Sequence, residues 1–105
     1  MKVRIKYKSN IIEIPDVKKC EGIKKYTGLM LNRTNALLFE FSKPGRYAIH
    51  SLFCPKFLAI WINNGKIVEY KLVKPWQFII KPDGDFTKLI EIPINNKYLN
   101  IIAVF

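Results

Sequence analysis

The side chains best suited to chemistry lie close together in one stretch, Ile49-His50-Ser51 with Cys54 just beyond it. His50 is the only histidine of the chain. An imidazole titrates near neutral pH, so His50 is the natural candidate for an acid–base group or a ligand contact. An extended chain places His50 and Cys54 about 13 Å apart. Zinc ligands sit only about 2 Å from their ion, so the two cannot share a metal on a straight strand. Ser51 follows His50 directly and alternates to the opposite face, which denies it His50 as a base. No strained Gly-x-Ser-x-Gly turn surrounds it. Cys54 precedes Pro55, with no helix N-terminus to lower its thiol pKa. Asp83 and Asp85 flank Gly84 but lack the longer ligand run of a calcium loop, and they read as a turn. Glu13, Glu40, Glu69 and Glu91 fall one to a strand and read as exposed partners for lysines. No Gly-Lys-Ser/Thr segment is present to cradle phosphate. The residues therefore predict no catalytic set, no metal site and no cofactor, and the reading leans away from an enzyme without deciding the point.

Recognition is what remains. Trp76 follows Pro75 at the start of a strand, where the pair forms a rigid corner with an aromatic wall. His50, Trp76, Arg33 and Cys54 are the candidate ligand-binding residues. Lys2, Arg4, Lys6 and Lys8 form a second candidate surface, a basic face with side chains about 7 Å apart. The net charge of +10 favours phosphate partners. Only Arg4, Arg33 and Arg46 are arginines, however, and arginine is the residue suited to bidentate phosphate recognition. The preferred reading is a non-catalytic module that binds an unknown small ligand or protein. The alternative is a nucleic-acid binder using the lysine-rich face, with Tyr47, Trp61 or Trp76 stacking bases. A hydrolase acting through Cys54 or His50 ranks third.

These residues need a scaffold, and 105 residues suit one domain spanning 1–105. The longest apolar run, Phe57 to Ile62, is far short of a membrane span. The alternating start, Met1 to Lys8, predicts no signal peptide, so the expected location is cytoplasmic and no membrane partner is expected. Cys20 and Cys54 then read as two thiols rather than a bridge. Val3, Ile5 and Tyr7 alternate with lysines and Arg4, which predicts a strand. Ser9-Asn10 turns into a second strand over 11–14. Pro15-Asp16 offers a helix start, Val17, Cys20 and Ile23 recur at a spacing of three, and Gly28 offers a stop. A helix is expected near residues 16–26.

A meander of strands follows: 36–41, 46–53, 57–62, 66–73, 76–80, 87–92 and 98–105. Its turns fall at Pro44-Gly45, Asn63-Asn64-Gly65, Pro82 to Asp85 and Asn95-Asn96. The Asn-Gly pair suits a type I′ hairpin. Phe57 to Ile62 has no polar face and reads as a strand buried on both sides. The fold class is mainly β, or α+β by strict count. The architecture is a compact antiparallel β-barrel or sandwich, its strands curling round a single apolar interior with the helix as cap.

Four blocks in this order are similar to a known family. Gly28-Leu-Met-Leu-Asn-Arg33 with Ala36-Leu-Leu-Phe-Glu-Phe41 resembles the opening signature of the family called domain of unknown function 192. Ile49-His50-Ser51 resembles its second block, Leu72-Val-Lys-Pro75-Trp76 its third, and Leu89-Ile-Glu-Ile-Pro93 its fourth. The resemblance implies a small, mainly β domain and implies no activity. The chain departs from the pattern at Ala59, where the family carries an aspartate, and over Asn100 to Phe105, where it carries a Gly-Asp step.

Overall fold

A strand with no polar face must be covered on both sides, and the chain is arranged to do this for Phe57 to Ile62. A computed structural model describes residues 1–20, 34–51 and 54–105. Strands β1 (Val3–Tyr7), β2 (Asn10–Ile14), β3 (Lys18–Cys20), β4 (Leu37–Gly45), β5 (Phe57–Asn63), β6 (Lys66–Val73) and β7 (Phe86–Pro93) are followed by a 3-10 turn, Asn96–Tyr98, and helix α1, Leu99–Ile102. The strands make one seven-stranded sheet in the order β2-β1-β6-β5-β7-β4-β3, curled into a half-barrel. The chain is thus mainly β. β5 lies at the centre, antiparallel to β6 and β7. The pairs β1–β6 and β3–β4 are parallel. Among the described residues no helix is long and apolar enough to cross a membrane.

Alternation along β5 divides its side chains between the two faces. Leu58, Ile60 and Ile62 join Leu38, Ile90, Ile92 and the apolar residues of β1 and β2 inside the curl. Phe57, Ala59 and Trp61 join Leu37, Phe39, Phe86 and Leu89 on the outside. The sheet therefore separates two apolar layers, where the sequence predicts one interior. A single layer would leave one face of β5 in water, at roughly 1.5–3 kcal/mol for each large side chain exposed.

Hairpin chemistry is legible. Asn64 and Gly65 both have positive φ, 53° and 74°, as a type I′ turn requires. The first hairpin uses Lys8 and Ser9, with φ of 47° and 68°, one residue earlier than the sequence suggests. The two cysteines are buried thiols with no disulfide between them, as expected.

Other expectations fail for identifiable reasons. Over 16–20 there is no helix. Asp16 has φ 51°, outside the extended region that a helix N-cap adopts. The Val17 amide donates to the Met1 carbonyl and the Lys18 amide to the Ala36 carbonyl, so these N–H groups hold other segments. Residues 18–20 then pair with β4. The rest of that expected helix, 21–26, and its stop at Gly28 lie outside the described residues. Pro44-Gly45 is no turn, because β4 runs through it with a register shift. Within 46–53 and 76–80 the only ladder contact among the described residues is one bridge, Ile49 to Ile80, and residues 52–53 lie outside them.

The expected last strand, 98–105, is a 3-10 turn and a helix. Tyr98, Ile101, Ile102 and Phe105 recur at i, i+3, i+4 and i+7, and all four face the inner layer.

Tyr98 ties this end to the sheet. Its ring is fully buried. Its hydroxyl accepts the Ala36 amide at 2.8 Å and lies 3.1 and 3.2 Å from the Pro15 and Asp16 carbonyls, which share its proton. Tyr98→Phe removes the partner of the Ala36 amide and of the Pro15 carbonyl, while the Asp16 carbonyl keeps the Asn35 side-chain amide. It should cost about 2 kcal/mol in urea unfolding; a cost under about 0.5 kcal/mol would show that the hydroxyl is not a tie.

Candidate functional site

Two irregular stretches cover part of the outer layer, the described residues of one being 46–51 and 54–56 and the other 74–85, and they meet at Ser51. This side chain is fully buried. Its amide donates to the Gln77 carbonyl at 2.9 Å, and its carbonyl accepts the amides of Cys54 at 3.1 Å and Trp76 at 3.0 Å. Its hydroxyl donates to the Lys74 carbonyl at 2.6 Å and accepts the Gln77 amide at 2.7 Å. One buried serine thus satisfies much of the backbone of a four-residue turn, Lys74 to Gln77. Deeper in the same seam, Ile49 and Ile80 exchange both backbone hydrogen bonds at 2.9 Å.

The turn imposes a left-handed backbone on its tryptophan. Trp76 has φ 66°, which costs a bulky L-residue roughly 1–2 kcal/mol. Such strain persists only where surrounding bonds over-determine it, and the Ser51 contacts do so. The result is outward display. Trp76, Phe78 and Ile79 are 60%, 76% and 74% exposed. Lys74 and Lys81 are exposed beside them.

The sequence-derived candidates fall unevenly about this turn. His50 is half-buried and adjoins Ser51, whose carbonyl holds the Trp76 amide, so His50 and Trp76 are close neighbours along the backbone. Their Cα atoms are at most about 11 Å apart by chain geometry. Cys54 is buried in the outer layer, with its amide on Ser51. Arg33 lies outside the described residues.

The basic face is less uniform than alternation suggests. Arg4 and Lys2 both pair with Glu13, at 3.0 and 3.5 Å. Lys8 sits in the hairpin turn, its ammonium 5.2 Å from the Tyr7 ring centre. Trp61 is fully buried, which removes it from base stacking, and Tyr47 has one ring face on Phe41 with centroids 4.3 Å apart.

Three of the four strand glutamates pair as expected or cap a turn. Glu13 holds Lys2 and Arg4, Glu40 holds Lys19, and Glu69 accepts the Asp83 amide. Glu91 is different, and the sequence reading misses it. It stands between Ala59 of β5 and Leu37 of β4, on the outer face. It is 4% exposed, and its Oε1 has no hydrogen-bond partner among the described residues. Desolvation raises its pKa from 4.5 to about 8, so the carboxyl is largely protonated at neutral pH. The signal was available, since β7 is apolar on both faces around it, but an isolated glutamate in a strand more often faces water. Trp61 Nε1 is also buried without a partner among the described residues, on the same face. Among the described residues no group of three His, Cys, Asp or Glu side chains could hold a metal ion.

Comparison with known proteins bears on the fold alone. No family model matches the chain, and no curated protein matches it. Solved structures that share its fold include a candidate transcription regulator from Sinorhizobium meliloti, with a TM-score of 0.73 at 15% identity over 93% of this chain and 81% of that one. A protein of unknown function from Novosphingobium aromaticivorans superposes with a TM-score of 0.72 at 11% identity, over 95% of this chain and 76% of that one.

Two expectations follow from this geometry. Asparagine tolerates the left-handed region, so Trp76→Asn should change unfolding free energy by no more than about 1 kcal/mol; a loss above about 3 kcal/mol would make Trp76 a packing plug instead. Glu91 holds its proton in the fold up to about pH 8, whereas the unfolded chain releases it near the ordinary glutamate value of 4.5. Its neutral form is therefore fully compatible with folding below that value. Stability should fall as pH rises towards 8, by at most about 1.4 kcal/mol per pH unit. Denaturant midpoints measured from pH 5 to pH 8 should show this slope, and Glu91→Gln should flatten it; an unchanged slope would contradict the assignment.

Proposed function

We propose that the protein is a non-catalytic interaction module that engages a partner through the Pro75 to Ile79 turn, with His50 at its side. The observation that carries this reading is the Ser51 clamp. A buried polar side chain and a left-handed tryptophan both carry a cost, and together they hold three large apolar side chains in water, where they add little to folding. Tryptophan is one of the side chains that most often dominate binding energy at protein interfaces. The flanking Lys74 and Lys81 suit a partner whose apolar pocket is bordered by acidic groups.

The resemblance to domain of unknown function 192 reads naturally alongside this. The blocks Ile49-His50-Ser51 and Leu72 to Trp76 are the two halves of the clamp, and Leu89 to Pro93 places Glu91 on the same face of the sheet. The nucleic-acid reading draws less support, because Lys2 and Arg4 already share Glu13.

The test compares the native chain with a Trp76→Ser/Phe78→Ser variant as baits for affinity capture, followed by titration with the purified partner. The expected result is a discrete partner that binds the native chain and binds the variant at least about tenfold more weakly, the loss of one to two interface hot spots. A purified partner that binds both equally would overturn the proposal.

A further inference from the structure

Strand β6 has a neighbour along its whole length on one side and only at its first residue on the other. β5 pairs with it from Asn63↔Lys66 to Phe57↔Val73. β1 meets it in parallel at Lys6↔Lys66 and then turns away at Lys8-Ser9. Among the described residues no strand pairs with its outer edge over 68–73. An unpaired edge offers the N–H and C=O groups of alternate residues as a template for another strand. Six residues offer about 20 Å of it. The sheet's other free edges are less available: β3 has three residues, and α1 packs beside β2.

We propose that this edge binds an extended acidic peptide segment, which adds to the sheet beside β6 along the line that β1 vacates. The main-chain hydrogen bonds of such strand addition supply affinity, and the side chains around the edge supply selectivity. The mouth of the edge is an open cleft of about 450 Å³, formed by Lys6 to Ser9 on one side and Lys66 to Tyr70 on the other. Lys6, Lys8 and Lys66 place three ammonium groups around it, and Lys71 lies exposed further along the strand. The one carboxylate at the cleft, Glu69, accepts the Asp83 amide with one oxygen. On the curl side, exposed Tyr70 and Leu72 offer apolar contacts, with Tyr70 backed by the rings of Tyr7 and Phe105. The complementary strand alternates acidic and apolar residues. A second copy of this chain is the wrong occupant, because it brings a further +10 charge and the same lysines to the edge.

This inference is independent of the Trp76 turn, and the test separates the two. A short fluorescein-labelled peptide alternating valine and glutamate is titrated against the native chain at low salt, with amide hydrogen exchange read in parallel. The expected result is saturable binding that slows exchange at the outward amides of 68–73. Lys6→Glu/Lys8→Glu should weaken it at least about tenfold. Lys43→Glu, on β4, and Trp76→Ser/Phe78→Ser should each leave it unchanged. Four results would each overturn the proposal: no binding; equal binding of a peptide with proline in place of valine, which shows attraction by charge alone; loss of binding in the Trp76→Ser/Phe78→Ser variant; or a self-association of the chain that the peptide displaces.

Discussion

The structure depends on burying β5 from both sides. Phe57 to Ile62 has no residue that water would solvate well, and its two antiparallel neighbours cover only its edges. The faces need separate roofs. On the inner face the sheet curls over itself and the C-terminal turn and helix close it, held by the Tyr98 hydroxyl. On the outer face irregular loops contribute to the cover, and irregular loops carry backbone polar groups that need partners. Ser51 answers that need for one of them. The clamp is thus a consequence of the central strand: a loop laid over an apolar layer must have its N–H and C=O groups satisfied from within.

This also explains where unusual chemistry appears. The outer layer holds the buried serine, the two thiols, the buried Trp61 Nε1 and the carboxyl of Glu91. The inner layer is more uniformly aliphatic, and its principal polar group, the Tyr98 hydroxyl, is fully engaged. A carboxyl with a pKa near 8 and a tryptophan held left-handed both reduce stability. Their presence on one side of one sheet is what a binding surface built at some expense to folding would show.

Much of this was legible in residue order. Alternation in Val3 to Tyr7, the Asn64-Gly65 turn and the two-sided burial of β5 follow from local rules, and the structure contains all three. The Val17–Cys20 stretch misleads because a spacing of three fits a helix, while its amides are committed to Met1 and Ala36, contacts that no local rule sees. The C-terminal stretch misleads in the opposite sense, since β-rich isoleucines obscure the helical spacing of Tyr98, Ile101, Ile102 and Phe105. At the candidate site, the sequence singles out His50 and Trp76 but gives the decisive role to neither neighbour. Ser51 reads as an idle hydroxyl until the turn from Lys74 to Gln77 closes on it. Glu91 reads as exposed until β4 and β5 are seen on either side.

An exposed turn is held rigid from beneath by one buried serine. Native-state amide hydrogen exchange at Trp76 and Gln77 tests it most directly, because both donate to Ser51. Both amides should be protected at least about a hundredfold over an open loop, beneath side chains that stand in water. Exchange at open-loop rates would show that the turn is not clamped, and the display of Trp76, Phe78 and Ile79 would lose its structural basis.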